Sequence, residues 1–320
     1  MAVQWPDEVD RIIGGDMTAG LAYVTPAGGA VVTAVAPVGL RERERGTVGF
    51  TTSIGLPKKL ERMLREPRIS LTYHAREHGL TGEPGFVLVQ GDATVTLDPD
   101  ERFLREELGP RAERFMGPRR EGPFWDRWLR EYYADRVPVE VGVRRVLFWP
   151  QGDCRGEPRT GGEPLPGAAP PQSEPKGGTG PRVDVERAAR RAAKLPHRLL
   201  AFRGADGYPV QVPVEVGEAE AGGLALHAPP DLLPPGGRRA GLLAHGYGAK
   251  LTGLAARQFT GWLTVEDGSG RALYAPHTEQ GFRAPRNKTL LLLANGLLAK
   301  RGLRKAERDG TLERLRAAAG

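Results

Sequence analysis

Residues 50–71, FTTSIGLPKKLERMLREPRISL, carry side chains that could bind a phosphate group. Three consecutive hydroxyl residues precede a helix that opens with two adjacent lysines, and these five residues are Thr51, Thr52, Ser53, Lys58 and Lys59. A helix N-terminus favours anions through its free N–H groups and dipole, and hydroxyl and ammonium donors add to that preference. Lysine is scarce, with 8 lysines against 38 arginines, so the adjacent pair stands out. The pattern predicts a phosphate cradle, although a solvated helix start with incidental lysines would look the same.

The neighbouring residues predict the elements that would position this cradle. TVGFTT is typical of a strand, and LPKKLERMLR has helical apolar spacing that ends before Pro67. Upstream, the sequence predicts a helix over 6–17 and a hairpin of LAYVT and AVVTAVAPV. Downstream, it predicts three further strands, which are RISLTYH, FVLVQGDATVTL and VPVEVGVRRVLFW. The first 150 residues therefore predict a β-barrel decorated by short helices.

Residues 99–133 interrupt the strands and predict helix. Their aromatic residues have the spacing of a core-facing stripe, and they are Trp125, Trp128, Tyr132 and Tyr133. We therefore expect this stripe to pack inward.

Three anchors indicate that the barrel is duplicated. LAYVTPAG at 21–28 matches LAFRGADG at 200–207. Arg68 precedes His74 by six positions, as Arg239 precedes His245. GDATV at 91–95 matches GWLTV at 261–265, and all three pairs occur in the same order. The sequence therefore predicts an internal repeat.

A segment rich in glycine and proline separates the repeats. Residues 151–181 contain 15 glycines and prolines among 31 residues, a composition typical of a linker. We therefore expect a barrel domain over 1–150, a flexible linker over 151–181, and a second domain over 182–320 that ends in a solvated basic helix.

The first repeat resembles the FMN-binding split β-barrel proteins, a superfamily that includes pyridoxamine 5′-phosphate oxidases and deazaflavin-dependent oxidoreductases. The resemblance lies in the hydroxyl-rich TTS, in Lys59 eight residues before Pro67, and in the strands REPRISL and VLVQGDATV. It covers about residues 8–150, and residues 196–295 more weakly. The fold it implies is mainly β with helices, in two tandem split β-barrels.

The resemblance also implies a site and an activity. Thr51, Thr52, Ser53, Lys58 and Lys59 would hold the phosphate of FMN or of the deazaflavin coenzyme F420. The cofactor ring would lie near His74, whose ordinary pKa suits proton transfer near neutrality. The expected activity is hydride transfer to or from a small molecule. A substrate motif of the R-L-x-P type is absent from the first barrel, which makes pyridoxamine phosphate doubtful as the substrate.

The second repeat is expected to be degenerate. In place of the lysine helix it has LALHAPPDLLPPGGRR, whose prolines forbid a regular helix. Split-barrel flavoproteins usually place the cofactor between two subunits, and a tandem chain can supply both. We therefore expect the second half to close the site with His245 and Tyr247, giving a monomer with an internal pseudo-dimer or a conventional homodimer.

The competing class is a non-catalytic protein that sequesters flavin, deazaflavin or haem. Haem is the weaker alternative. Some relatives of this barrel bind haem, and in this chain His74 or His245 would be its ligand. A metal site is not expected, because His74 and His78 share no helical face.

Composition narrows the remaining functional classes. The net charge is +7, but the arginine bias of the whole chain makes this weak support for nucleic-acid binding. The one cysteine, Cys154, excludes an internal disulfide. The polar N-terminus and short apolar runs predict neither a signal peptide nor a membrane span. We expect a soluble cytoplasmic protein with a small-molecule substrate and no nucleic-acid or membrane partner.

Overall fold

Two antiparallel sheets organise the computed structural model, which describes residues 2–266 and 269–319. The first sheet contains β1 (Ala19–Val24), β2 (Ala30–Val35), β3 (Arg41–Glu42), β4 (Thr47–Thr52), β5 (Arg68–Tyr73), β6 (Phe86–Val95), β7 (Val137–Trp149) and β8 (Arg159–Gly162). The second contains β9 (His197–Arg203), β10 (Pro209–Pro213), β11 (Glu215–Glu220), β12 (Gly223–His227), β13 (Gly236–Gly246), β14 (Ala255–Val265) and β15 (Arg271–Arg283).

Helices surround the sheets on the outside. They are α1 (Asp7–Gly15), α2 (Pro57–Arg65), α3 (Gly109–Met116), α4 (Pro123–Trp128), α5 (Arg130–Ala134), α6 (Val185–Ala193), α7 (Lys288–Arg308) and α8 (Thr311–Ala319). A π-helical turn covers Phe103–Leu108, and a 3-10 turn covers Ala249–Leu251. Within the described ranges, none of the helices combines the length and the apolar character that crossing a bilayer requires.

The two sheets have the same strand order. The first follows β2-β1-β5-β6-β7-β4-β3, and the second follows β10-β9-β13-β14-β15-β12-β11. Adding eight to each strand number converts one order into the other, and a helix precedes the first strand in both halves. This repeated topology agrees with the predicted duplication, and the predicted fold class of two tandem barrels, mainly β with helices, is confirmed.

The glycine anchors of the repeat mark the same irregularity in both sheets. The ladder between β6 and β7 shifts register at Gly91, and the ladder between β14 and β15 shifts at Gly261. A Cβ atom at either position would collide with a backbone carbonyl of the next strand, that of Gly142 or of Ala275. Glycine is therefore required at both bulges.

A shared apolar core joins the two sheets. Side chains alternate along β1, so Leu21 faces the core of the first barrel and Ala22 faces outward. On β9, Leu200 faces the core of the second barrel and Ala201 faces outward. The outward residues of both halves meet in one buried cluster, which includes Val32, Leu88, Leu147, Leu199 and Leu243. The halves thus bury a face that neither sheet could expose to water without cost.

Equivalent contacts occur on both sides of this shared core. Arg68 of the first half donates to the carbonyl of Asp206 in the β9–β10 turn, at 3.0 Å. Arg239, its counterpart in the second half, contacts Gly29 in the β1–β2 turn. The halves are therefore related by an approximate two-fold axis, as two subunits of a symmetric dimer would be.

The second barrel is degenerate in the predicted way. Residues 228–235 form no helix between β12 and β13, where the first half has α2 between β4 and β5. The helical segment between β6 and β7 is also replaced by a short connection between β14 and β15. Only the first half therefore carries the lysine helix.

The segment at 151–181 differs from a free flexible linker. Residues 159–162 form β8 on the edge of β7, and Ala169 is buried in the core of the second barrel. The side-chain amide of Gln172 also donates to the carbonyl of Gly28, at 2.8 Å. Composition indicated flexibility, but the segment is fixed because both halves offer it backbone partners.

One further expectation about helices was wrong. The four aromatic side chains of α4 and α5 are only half buried, and Trp128 packs on α7 by donating to the carbonyl of Leu293 at 3.2 Å. The basic C-terminal helices have a solvated face, and their apolar side, which includes Ala306 and Leu315, is buried against the first barrel. Periodicity shows that a helix has an apolar side but not which barrel receives it.

Replacing Leu199 with Ala should test the shared core. Leu199 is fully buried between the halves, so the free energy of unfolding should fall by about 2–5 kcal/mol. Urea denaturation followed by far-UV circular dichroism measures this change. Leu298→Ala on the exposed side of α7, where the residue is 54% exposed, should change it by less than about 0.5 kcal/mol. Equal effects of the two variants would contradict a stabilising shared core.

Candidate functional site

The hydroxyl residues of the expected cradle point in different directions. Val48 and Phe50 of β4 face the first barrel core, so alternation turns Thr52 inward and Thr51 outward. The hydroxyl of Thr52 is buried and has no hydrogen-bond partner among the described residues. Thr51 and Thr52 therefore cannot face one ligand, and the expected triple-hydroxyl cradle is corrected to Thr51 alone on the outer face.

Ser53 already has an anionic partner. Its hydroxyl donates to Oδ2 of Asp135 at 2.5 Å, and the backbone N–H of Ile54 donates to Oδ1 at 2.8 Å. Burial raises the pKa of Asp135, while these hydrogen bonds act in the opposite direction. The carboxyl group of Asp135 thus takes the place at this loop that sequence reasoning gave to a phosphate.

The two lysines differ in their surroundings. Lys58 is exposed, whereas Lys59 is partly buried at the start of α2. Burial lowers the pKa of Lys59 to about 8 because the ammonium group is poorly hydrated. Its Nζ atom has no hydrogen-bond or ion-pair partner in the described ranges, so Lys59 is a cation without a protein anion.

Helix α7 limits access to this loop from one side. The Cα atoms of Gly55 and Gly302 meet so closely that a Cβ on Gly302 would lie 2.9 Å from Cα of Gly55. The C-terminal helix therefore lies directly against the loop that follows β4, which sequence reasoning did not predict.

His74 and His245 meet where the two halves join. Their Nε2 atoms are 3.1 Å apart, and Nδ1 of His74 lies 3.3 Å from the carbonyl of Thr72. If Nδ1 of His74 donates to that carbonyl, its Nε2 accepts from Nε2–H of His245. This leaves Nδ1 of His245 buried without a partner.

Neither histidine of this pair has the near-neutral pKa expected of His74. Burial, with the neighbouring His197, lowers the pKa of His74 to about 3. Burial also lowers the pKa of His245 well below its ordinary value, with His74 and His197 acting in the same direction. Both rings are therefore neutral at physiological pH, and the expectation that His74 titrates near neutrality is wrong.

Two residues that sequence reasoning missed complete this cluster. His197 of β9 lies 5.6 Å from His74 and 5.2 Å from His245, measured between ring centroids. Its Nε2 is 2.7 Å from a carboxylate oxygen of Glu77. His197 pairs with His245 across β9 and β13, so aligning the repeat strand by strand could have identified it.

Tyr247 lies in the same place, as expected. Its hydroxyl donates to the carbonyl of Ala75 at 3.1 Å, which ties the second half to the end of β5. Its ring lies 6.1 Å from that of His197 and 6.4 Å from that of His78. Across the described residues, no group of three or more His, Cys, Asp and Glu side chains is arranged to hold a metal ion.

Thr51 and His74 lie on one wall of the first barrel. A bridge between Ala36 and Thr51 closes the barrel beside β2. When the β1–β2 and β1–β5 ladders are continued towards the start of β1, Ala36 and His74 both come opposite Thr18, the residue before β1. Thr51 and His74 are therefore three strand spacings apart, about 14 Å along the wall.

An apolar cluster occupies the space beside this wall. Its buried members are Met17, Val38, Leu108 and Phe115, and Tyr247 and Leu251 of the second half pack against them. Helix α3 carries Phe115 and lies over the cluster as a cover. Lys288 of α7 fixes the end of α3 by donating to the carbonyl of Met116 at 3.2 Å.

Comparisons with known proteins give structural similarities only. No protein-family model and no curated protein sequence matches the chain. One similar structure is a conserved hypothetical protein of Mycobacterium tuberculosis, with 20% identity, a TM-score of 0.36, and coverage of 47% of this chain and 87% of that one. A second is a pyridoxamine 5′-phosphate oxidase-related, FMN-binding protein of Nostoc punctiforme, with 12% identity, a TM-score of 0.28, and coverage of 62% and 87%.

A third similar structure is named F420 reductase. It is 19% identical, has a TM-score of 0.32, and the match covers 46% of this chain and all of that one. Two of these three matches span about half of this chain. Similarities of this degree say nothing about the ligand or reaction of this chain.

Replacing His245 with Gln should reduce acid sensitivity. The lowered pKa of His245 means that the unfolded state takes up a proton below pH 6.5 and the folded state does not, so stability is lost as pH falls. Between pH 7 and 4.5 this histidine should account for about 2–3 kcal/mol of lost stability. Urea titrations at several pH values measure that loss, which should disappear in His245→Gln.

Exposed His227 provides the matched control for this prediction. His227→Gln should leave the dependence of the unfolding free energy on pH unchanged. An unaltered slope in His245→Gln would contradict the assignment of a buried neutral histidine pair.

Proposed function

We propose that the chain binds a flavin-type cofactor, FMN or the deazaflavin F420, along the wall between Lys59 and His74 and acts as an oxidoreductase on a small molecule. The observation that carries the proposal is the arrangement along this wall. Thr51 lies at one end, eight residues before the unpaired cation Lys59, and a histidine–tyrosine cluster from both halves lies at the other end. The apolar cluster under α3 contacts both ends through Ala36 and Tyr247.

The residues at the two ends suit the two ends of such a cofactor. Thr51, Lys58 and Lys59 would hold the phosphate, because each presents a donor that no described residue accepts from. Ser53 and the N–H of Ile54 fit less well, since Asp135 already accepts from both. The phosphate contacts therefore rest on the lysines rather than on the whole loop.

The apolar cluster would exclude water from the ring of the cofactor. Val38, Leu108 and Phe115 are buried and carry no polar atoms in their side chains, so they favour a flat apolar ring and keep solvent away. The side chains of this cluster pack against one another, so α3 must move outward to admit a cofactor ring. When bound, a flavin-type cofactor supplies hydride transfer.

His74 and His245 would act as neutral hydrogen-bonding groups. Their lowered pKa values keep both rings uncharged at physiological pH, so they hold a proton between their Nε2 atoms instead of releasing it to solvent. Both ring nitrogens of His74 are engaged, so His74 would hold the ring of His245 in place. Nδ1 of His245, which has no partner among the described residues, would orient a polar atom of the cofactor ring or substrate, and Tyr247 would fix the end of β5 through Ala75.

The second candidate is a binding protein without catalytic activity. It is favoured by the lowered pKa values of His74 and His245, because a catalytic acid or base works best with a pKa near the operating pH. Haem is the least suitable ligand for it, since the Nε2 atoms of His74 and His245 face each other and a haem iron would have to break that pair.

An absorption spectrum with a reduction assay separates these candidates. Purified protein titrated with FMN and with F420 should shift the visible band of one of them. Reduction of that bound cofactor by a hydride donor, followed by reoxidation with an added acceptor, supports the oxidoreductase. Binding without turnover across a panel of donors and acceptors supports the second candidate, and binding of neither cofactor rejects both.

Replacing Lys59 with Ala should weaken cofactor binding. The variant loses a charge-assisted contact of about 1.5–3 kcal/mol, so the Kd for the cofactor should rise about ten- to a hundredfold. A spectroscopic titration measures the Kd, with Lys194→Ala on the exposed surface of the second half as the control. Unchanged affinity in both Lys58→Ala and Lys59→Ala would show that the lysines do not hold the phosphate.

The chain should bind one cofactor, not two. Only the first half has α2, whereas residues 228–235 replace it in the second half with a loop that has no lysine. Titration at protein concentrations well above the Kd should therefore reach its end point at one cofactor per chain. An end point at two would mean that the second barrel binds without a lysine helix.

A further inference from the structure

A cavity of about 250 Å³ lies beside the last turns of α2, and neither Lys59 nor His74 lines it. The β1–β2 turn contributes Thr25 to its lining, and the last turns of α2 contribute Arg62, Arg65 and Glu66. The second half contributes Arg203 from the end of β9. Docking of the two barrels adds the third arginine to a cavity that the first half otherwise lines.

The three arginines of this cavity have no acceptors. Neither Arg62, Arg65 nor Arg203 makes a side-chain hydrogen bond or ion pair with any described residue. Nη1 of Arg62 is completely buried and unpaired. An unpaired buried donor, above all a charged one, is costly, so a site that keeps one is suited to an anion from outside.

The single carboxylate in the lining does not neutralise them. Glu66 is engaged by Arg68, which donates to both of its oxygens at 2.7 Å. These hydrogen bonds hold the pKa of Glu66 below its ordinary value, and Arg203 acts in the same direction. The carboxylate is therefore ionised but already paired, and the cavity keeps an excess of positive charge.

The position of Arg62 and Arg65 on α2 does not by itself explain this arrangement. Arginines in the last turn of a helix are favoured by its dipole, and the spacing of three residues places both on one side of the helix. The dipole does not account for an Nη1 atom buried without an acceptor. Nor does it account for Arg203, which comes from a strand of the other half to the same cavity.

We propose that this cavity binds the phosphate or pyrophosphate group of a phosphorylated small molecule. Guanidinium groups offer paired N–H donors that match phosphate oxygens, and three of them suit a group with more than one negative charge. The volume lies below the roughly 300–1,000 Å³ of pockets that enclose whole ligands. The cavity therefore takes the charged head of the ligand and leaves the remainder outside.

Isothermal titration calorimetry with pyrophosphate and with inorganic phosphate tests the proposal. The arginine cavity of the Lys59→Ala protein, which lacks the proposed cofactor-phosphate contact, should bind one pyrophosphate per chain, more tightly than phosphate, and less tightly as potassium chloride is added. In this background, Arg62→Gln and Arg203→Gln should each raise the Kd about tenfold or more. Arg187→Gln, an exposed and unpaired arginine on α6, should leave the Kd unchanged.

Thermal unfolding gives a second measurement that does not depend on activity. In the same background, pyrophosphate should raise the Tm of the Lys59→Ala parent and of Arg187→Gln, but not of Arg62→Gln or Arg203→Gln. Since Arg203 is exposed and no core depends on it, its variant should fold and keep the Tm of the ligand-free parent. Without pyrophosphate, Arg62→Gln should be at least as stable as the parent, because a buried unpaired charge is removed.

Three results would overturn the proposal. They are the absence of stoichiometric pyrophosphate binding, an equal loss of affinity in Arg187→Gln, and tighter binding of a single-stranded oligonucleotide that depends on Arg62 and Arg203. The last would make the cavity part of a nucleic-acid surface. Since the readout is binding of pyrophosphate, the outcome is independent of the flavin titration of Lys59→Ala.

Discussion

Burial of one shared apolar face between the two sheets is the constraint on which the other features depend. Each barrel sends alternate strand residues outward, and the cluster around Leu199 and Leu243 removes both sets from water at once. The same docking brings His74 to His245 and places Arg203 beside α2. A single barrel would have neither the histidine pair nor the third arginine of the cavity.

The two halves have the same topology but different tasks. The first half keeps the lysine helix and the helical cover over the wall, and the second half keeps neither. The second half instead contributes His245, Tyr247 and Arg203 to sites whose other side belongs to the first. The C-terminal helices increase this dependence, because α7 leaves the second barrel and packs against the loop at Gly55.

The polar groups divide into those that the chain satisfies and those that it leaves open. Asp135 satisfies Ser53 and the N–H of Ile54, so that part of the loop is closed by the protein itself. Lys59 and Arg62 are left without acceptors in the described ranges. Cations that are at least partly buried and have no protein acceptor favour anionic ligands. This lack of an acceptor distinguishes the two proposed binding positions from the many surface arginines that are paired with carboxylates.

The sequence by itself determined most strands of the first half and the duplication, because alternation of apolar residues, turn glycines and the bulge glycines Gly91 and Gly261 are local signals. Only the tertiary structure decided which charges find partners, since Ser53 and Asp135 are 82 residues apart and no local pattern links them. It also decided that Thr51 and Thr52 face opposite sides, and that docking buries His74 and lowers its pKa. Burial and pairing are properties of the assembled halves, and a sequence pattern does not contain them.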